Sequence, residues 1–566
     1  MKEVCYWAFC FAPPSGSPPN KIFGFSEFLA AVALLAIVYT ITDVRYKFRI
    51  AVAPGPLYKS TFAVMTIIGL QTLLTEVWIN EKWWTLSPTW LTLSIWQGIF
   101  GLLFLGTFLT WMYYAFLYPA IFGKRNAERY RMELYRYILR GDEDELKIIA
   151  HEVALSAKSL VAKSYCIPNP YHDVNKPLIT TSNVTETGKH AGSILLLIAN
   201  RKFCRQIVGA SPVTAQEIFN AMSNTKVFNI PIGHFARNIT IEAIAHGESF
   251  LYEEAEGFNS GLLGYIKPVS QAVYGDFNLI ESLATYSISA FDISPEEQYK
   301  WKSTQWEAYY TAFLYTLEDC LTMDLQLQRS LPVSLTFMRI QQAFHDIKNM
   351  DELKAYSGDT LHRLVVAANF IEKAVNLISS QKLHPVLSHG VNNRPRLNGI
   401  LDDVAELIFE IFFTLSCIRK SIGLEENFNR SFLWGSLWGL GKPGAAWKII
   451  RLKVRRLLYD SITFLAKAPN PKDSRILGLC LNELGFTTNK NDRSTHALKK
   501  VTISWVKENY LKLRQKSPAI AETVLIGRLS FDEAESRLVL THSTKIYLDL
   551  LRPEDSSHGA IVADEI

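Results

Sequence analysis

The stretch from Trp83 to Gly123, WWTLSPTWLTLSIWQGIFGLLFLGTFLTWMYYAFLYPAIFG, contains no charged residue. A helix needs about 20 apolar residues to cross the hydrocarbon core of a bilayer, which is about 30 Å thick. Pro88 follows a serine at a favoured first helical position, and Pro119 lies near the far end. The stretch therefore predicts a tilted transmembrane helix over residues 88–118, and a hairpin of two short helices is the alternative.

Two further apolar runs precede this stretch. The first, FSEFLAAVALLAIVYTIT at residues 25–42, carries Glu27 near one edge as its only charge. The second, at residues 60–79, is weaker because it contains Gln71 and Glu76. Together with the third run they predict an anchor of about three transmembrane helices.

Basic residues determine the expected orientation, because lysine and arginine are enriched in cytoplasmic loops. They cluster after the first run and again after the third, whereas the opposite side holds only Lys2, Lys21 and Lys82. The pattern predicts a multi-pass protein of the plasma (inner) membrane, with an extracytoplasmic tail at residues 1–24 and an anchor at residues 25–121. If the second run did not insert, two spans would remain and the N-terminus would have to lie inside.

Polar side chains within the anchor could mark an ion or substrate pathway. Gln71, Glu76 and Gln97 are the candidates, together with Glu27. Three helices in one chain cannot enclose a pore, so a channel would require several copies. An oligomeric pore-forming or membrane-perturbing effector, gated by the cytoplasmic domain, is therefore an alternative function.

The composition excludes some classes of protein. Lysine and arginine total 59 against 54 aspartate and glutamate residues, so the net charge of +5 gives no electrostatic argument for a nucleic-acid partner. The seven cysteines show no CxxC spacing, which is typical of thiols in a reducing compartment. Cys5 and Cys10 lie in the predicted outer tail and could pair there. No cofactor is predicted, and compact loops without low-complexity linkers suggest a bacterial source.

Beyond the anchor the pattern changes to charged amphipathic helices. It predicts a mostly α-helical cytoplasmic domain in two lobes, at residues 122–290 and 291–552, with a flexible tail at residues 553–566. Alternation of apolar and polar residues around Asp532 predicts a small C-terminal β-hairpin as the only β-structure. In the second lobe, helices are predicted at residues 294–329, 334–349, 358–381, 398–421, 446–466, 473–485 and 496–515.

A basic, tryptophan-rich segment near residue 440 is the first candidate site. It could lie on the anionic inner leaflet or bind a phosphate, although a core helix with a solvated basic face is the preferred interpretation. A Walker A motif is absent, because Ser436 and Pro443 stand where it needs glycine and serine or threonine. The residues of the segment are Trp434, Trp438, Lys442, Trp447, Lys448, Arg451, Arg455 and Arg456.

His345 and Asp346 are adjacent on a predicted helix, with His246 upstream and Asp402 and Asp403 downstream. Imidazole and carboxylate groups could together hold a divalent metal, as they do in His-Asp phosphohydrolases. An ordinary structural histidine is the simpler interpretation, because this dipeptide is common by chance. No metal site is predicted, and a tethered metal-dependent phosphohydrolase is a further alternative function.

No group of residues in the sequence indicates a particular reaction. The acidic cluster Glu253, Glu254 and Glu256 is expected to lie in a solvated loop. An apolar anchor followed by a large helical domain predicts a membrane-tethered interaction or scaffold protein at the cytoplasmic face. Its partners would be the lipid bilayer and a protein, which could be a further copy of the same chain.

Overall fold

The computed structural model is mostly helical, with 75% of the described residues in helices and a small antiparallel sheet near the C-terminus. The chain divides into two compact units, which comprise residues 1–246 with 285–287 and residues 247–284 with 288–566. The structure describes residues 4–6, 9–12, 22–41, 43–86, 93–119, 121–168, 184–255, 257–259, 265–323, 330–344, 347–349, 358–380, 399–417, 424–438, 444–487, 495–541 and 544–551.

The first unit contains both the apolar segment and the helices that follow it. Its strands are β1 (Val4–Tyr6), β2 (Phe9–Ala12) and β3 (Thr85–Leu86). Its apolar segment forms α1 (Phe25–Ile41), α2 (Val44–Ala51), α3 (Leu57–Asn80) and α4 (Leu93–Met112), and α4 continues as a π-helix at Tyr113–Leu117. The later helices are α5 (Ala127–Arg140), α6 (Glu143–Ala154), α7 (Ala157–Lys163), α8 (Glu186–Leu197), α9 (Arg201–Ala210), α10 (Pro212–Thr225) and α11 (Gly233–Ala245).

Two helices, Leu57–Asn80 and Ser94–Leu117, are long and apolar enough to cross a membrane. Helices α1 and α2, which meet at 111°, make a third candidate if the bent pair is counted as one span. Only 22% and 17% of the residues in the two apolar windows are buried, so most of their large side chains face outward. The exposed surface of these two helices is therefore largely apolar.

The N-terminal sheet shows which connections share an end of the apolar helices. Strand β2 pairs with both β1 and β3, which places Phe11 opposite Leu86 and Cys5 opposite Cys10. The N-terminal strands and the connection from α3 to α4 therefore lie at one end. Helix α2 and the residues that follow α4 lie at the other end.

The second unit is helical up to its C-terminal sheet. A two-stranded ribbon pairs β4 (Phe258–Asn259) with β5 (Tyr265–Ile266), and the C-terminal sheet contains β6 (Leu529–Asp532), β7 (Arg537–Thr541) and β8 (Lys545–Asp549). The first helices are α12 (Phe250–Glu253), α13 (Pro268–Tyr274), α14 (Phe277–Tyr286), α15 (Pro295–Gln298), α16 (Ser303–Thr322) and α17 (Leu331–Gln341). The later ones are α18 (Gly358–Ser380), α19 (Ile400–Cys417), α20 (Leu424–Trp438), α21 (Ala445–Lys467), α22 (Pro471–Leu484), α23 (His496–Lys516) and α24 (Pro518–Glu522).

Three predictions made from the sequence differ from the observed structure. The single helix predicted over residues 294–329 is two helices, because Trp301 is buried in the connection and Asp359 accepts hydrogen bonds from the Ser303 backbone and hydroxyl. The C-terminal hairpin has a third strand, and β-structure also occurs at the N-terminus and in the ribbon. Glu254 is buried, not solvated, because its carboxylate accepts the first free backbone N–H groups of α13.

Candidate functional site

Helix α2 forms an elbow at the end of the apolar helices. The Asp43 side chain caps it by accepting from the backbone N–H of Arg45 at 3.3 Å, and the helix leaves α1 at 111°. Phe48 and Ile50 of α2 are buried, Phe48 against Tyr130 and Ile50 in a cluster with Trp111 and Ala115. Pro54 follows, and α3 begins directly after Pro56, so the chain turns twice within a short distance.

A buried ion pair joins this elbow to α6. The Glu152 carboxylate is fully buried and accepts two parallel hydrogen bonds from Arg49, at 2.9 Å from Nε and 2.8 Å from Nη2. Nε of Arg45 lies 3.5 Å from the same carboxylate. The hydrogen bond to Glu152 raises the pKa of the Arg49 guanidinium. Two-point pairing of this kind fixes orientation as well as distance.

The Asn126 side chain forms a second set of polar contacts near α2. Its Nδ2 donates to the backbone oxygens of Val52 at 2.8 Å and Ile121 at 3.0 Å, and its Oδ1 accepts from Gly123 N at 2.7 Å. One buried amide thus ties the loop after the elbow to the chain leaving the third apolar helix. Arg129 adds a further bond, from Nη2 to the Pro54 oxygen at 2.8 Å.

Aromatic side chains of α2 also pack against the neighbouring helices. Phe48 contacts the rings of Tyr130 and Tyr137 edge-on, with centroids 5.3 and 6.0 Å apart. On the side of the π-helix, Tyr46 packs on Phe116 at 4.5 Å. Burial raises the pKa of the Tyr130 hydroxyl. We name the contacts of α2 with α5, α6 and the π-helix the elbow junction.

The candidate pathway residues have a structural role at the opposite end. Gln97 Oε1 accepts from Ile22 N at 3.0 Å, and Glu76 Oε1 accepts from Phe25 N at 3.1 Å. Glu27 Oε2 accepts from Gly24 N at 2.9 Å. These backbone N–H groups precede or open α1 and have no partner within the helix, so the acceptors act as caps. Gln71 is half-buried on α3.

Replacing Glu76 with leucine should lower the free energy of unfolding of the detergent-solubilised protein by about 1–2 kcal/mol, because a helix-terminal donor loses its acceptor. Gln71→Leu is the matched control on the same helix and should leave stability unchanged or raise it. Thermal unfolding of both variants measures the difference. Equal effects of the two substitutions would contradict the capping role of Glu76.

The tryptophan-rich segment separates into a buried part and an exposed part. Trp434, Trp438 and Trp447 are buried, and the first two stack with ring centroids 5.2 Å apart. Their rings are core side chains, so they are not available to a bilayer surface. Lys442 lies outside the described residues. The exposed or half-exposed basic residues are Lys448, Arg451, Arg455 and Arg456, of which Arg456 pairs with Asp460 at 3.0 Å.

The proposed metal ligands are not brought together in the described part of the chain. His345 and Asp346 lie outside it, and within it no group of three or more histidine, cysteine, aspartate or glutamate side chains could hold a metal ion. Asp402 pairs with Lys453, and Asp403 accepts from the Ser334 hydroxyl at 2.8 Å. Both carboxylates therefore serve contacts between helices of the second unit.

In comparisons with known proteins, the chain shows no significant match to a protein-family model, a curated protein or a solved structure. In the elbow junction the buried Glu152 carboxylate pairs with Arg49 and lies 3.5 Å from Nε of Arg45. What it can do is fix the helices after α4 relative to the apolar helices.

Proposed function

We propose that the protein is a membrane-tethered helical interaction or scaffold protein, which acts at the cytoplasmic face of the plasma membrane. The elbow junction is the observation that carries this proposal. A simple tether needs only a flexible linker, whereas here a buried ion pair and a buried amide fix the first helices against the apolar segment. Such a fixed arrangement suits a protein that presents a surface to partners at a set position.

Membrane placement is supported by the outward-facing apolar surface of α3 and α4 and by the basic residues near the elbow. The first test uses the full-length protein in native membranes. It should stay in the pellet after alkaline carbonate extraction, and a C-terminal tag should be cleaved by protease only when the cytoplasmic face is exposed. Release into the supernatant would overturn the tethering, and a tag protected on that side would overturn the orientation.

The scaffold role requires assembly with protein. Light scattering of the protein extracted in mild detergent should give a protein mass well above the 64.2 kDa of one chain. A mass equal to one chain after several mild detergents, without a co-purifying protein in stoichiometric amount, would overturn this role. Closed rings that conduct ions in reconstituted bilayers would instead establish the pore alternative, and a bound metal with phosphatase activity would establish the hydrolase alternative.

A disulfide between Cys5 and Cys10 is the expected sign that the N-terminal strands face an oxidising compartment. The two residues are directly opposite in the antiparallel pair β1–β2, and partners at that spacing, about 4.5–5.5 Å between Cα atoms, are within reach of a disulfide. Alkylation of the denatured protein should label two more thiols after reduction than before it. Exposed Cys166 is the internal control and should be labelled without reduction. Full labelling of all seven cysteines without reductant would contradict the pairing.

A further inference from the structure

The basic residues at the elbow junction fall into two groups. Arg45 and Arg49 are bound to Glu152, and Arg129 is bound to the Pro54 oxygen, so their charges serve the fold. In the sequence alone, all basic residues of this region are equal indicators of the membrane orientation. The structure separates those that hold the junction from those that do not.

Four other cations in this region form no ion pair with any carboxylate in the described ranges. Lys59, Lys124 and Arg125 are exposed, and Lys47 is half-buried with its ammonium group 6.0 Å from the centre of the Tyr39 ring. Like charges held close together repel one another unless an anion is present. We name these four residues the basic collar.

The collar lies at one end of the apolar helices. Lys47 is on α2, Lys59 is in the first turn of α3, and Lys124 and Arg125 follow the π-helix that ends the third apolar helix. Asn126, next to Arg125, binds the Val52 oxygen and so brings the two connections together. Exposed tyrosines occur at the same end, at Tyr58 and Tyr113.

Cations and tyrosines next to the end of an apolar helix are characteristic of the boundary between hydrocarbon and lipid headgroups. We infer that the basic collar binds the headgroups of anionic phospholipids in the leaflet next to the elbow. This inference rests on the proposed membrane placement. A lipid is favoured over a protein partner because the collar is continuous with the outward-facing apolar surface of α3 and α4. Each collar residue should favour an anionic lipid roughly fivefold, as is typical of basic residues near such a surface.

The test uses the full-length protein reconstituted in nanodiscs from an equimolar mixture of phosphatidylcholine and phosphatidylglycerol. Native mass spectrometry after release from the disc reads the lipids that stay bound. The wild type should retain phosphatidylglycerol in excess over phosphatidylcholine. The variant K47Q/K59Q/K124Q/R125Q should lose that excess and retain the two lipids in the ratio of the mixture.

A matched control removes four positive charges from exposed lysines of the second unit, as K467Q/K500Q/K512Q/K516Q. It should retain phosphatidylglycerol as the wild type does. A second measurement uses the wild type alone and therefore still tests the inference when the collar variant folds poorly. The wild-type melting temperature should be higher in phosphatidylglycerol discs than in phosphatidylcholine discs. Addition of inorganic phosphate to the phosphatidylcholine discs should not reproduce the shift.

The possible failures are distinguishable. A protein that is inserted and stable but shows neither lipid excess nor a melting shift would overturn the collar inference and leave the proposed function intact. An equal loss of lipid excess in both quadruple variants would also overturn it, because net charge and not the collar would then be responsible. A protein released by alkaline carbonate would overturn the membrane placement itself.

Discussion

Glu152→Gln is expected to lower the free energy of unfolding by about 3–5 kcal/mol, since it leaves the largely buried guanidinium of Arg49 without its counter-charge. The substitution preserves the volume of the side chain, so the loss reports charge and hydrogen bonding and not a cavity. Thermal or chemical unfolding of the full-length protein in detergent measures it. We expect the first unit to lose its native proteolytic resistance at lower temperature than the second.

Glu145→Gln is the matched control, because Glu145 also pairs with an arginine on the neighbouring helix, at 3.0 Å from Arg140. That arginine is 62% exposed, so the control should change stability by less than about 1 kcal/mol. The double variant R49L/E152L should recover part of the loss, because two apolar side chains avoid a buried unpaired charge. A fall of less than 1 kcal/mol for Glu152→Gln would show that the pair does not hold the junction.

Gly478→Ala is expected to cost at least about 1–3 kcal/mol, the usual cost of overpacking in a close-packed interior. A Cβ at Gly478 would lie 2.2 Å from the backbone oxygen of Val524, which a side-chain rotation cannot relieve. The segment after α24 cannot retreat freely, because Asn482 Nδ2 donates to the Ile526 oxygen at 2.8 Å and Asn482 Oδ1 accepts from Arg528 N at 3.0 Å. Unfolding monitored in the second unit measures the loss.

Gly435→Ala provides the control for Gly478→Ala. Gly435 also lies in a helix, but a Cβ there meets no atom within 4 Å. Alanine is favoured over glycine in a helix by up to about 1 kcal/mol, so this variant should be neutral or more stable. If both substitutions destabilised equally, a general intolerance of α-carbon substitution would replace the close approach as the explanation.

Most of the helical pattern was predictable from local sequence. The predicted helix at residues 496–515 is observed as His496–Lys516, and the one at 446–466 as Ala445–Lys467. Regular apolar spacing and clear end signals account for this agreement. The apolar sequence at residues 193–208 fits either a helix or a strand, and the segment belongs to two helices, the second of which is capped by Asn200.

The polar contacts were much less predictable. Glu152 stands three residues after Ile149 and directly before Val153, both buried, so helical spacing places it at the edge of an apolar face. That position was a usable signal for a buried carboxylate, but its partner Arg49 could not be identified without the fold. The caps at Glu76 and Gln97 depend in the same way on which helices lie side by side. Helical spacing alone does not distinguish a core face from an interface, so it could not decide whether the tryptophans near residue 440 are buried.

The Arg49–Glu152 pair also constrains the order in which the chain can assemble. The two residues are 103 positions apart, so the ribosome finishes the elbow long before α6 exists. During that interval the Arg49 guanidinium must stay solvated or bind another anion, because an unpaired charge is too costly to bury. Docking of α6 is therefore the step that dehydrates the elbow, and a chain truncated before residue 152 would leave the elbow charged and open.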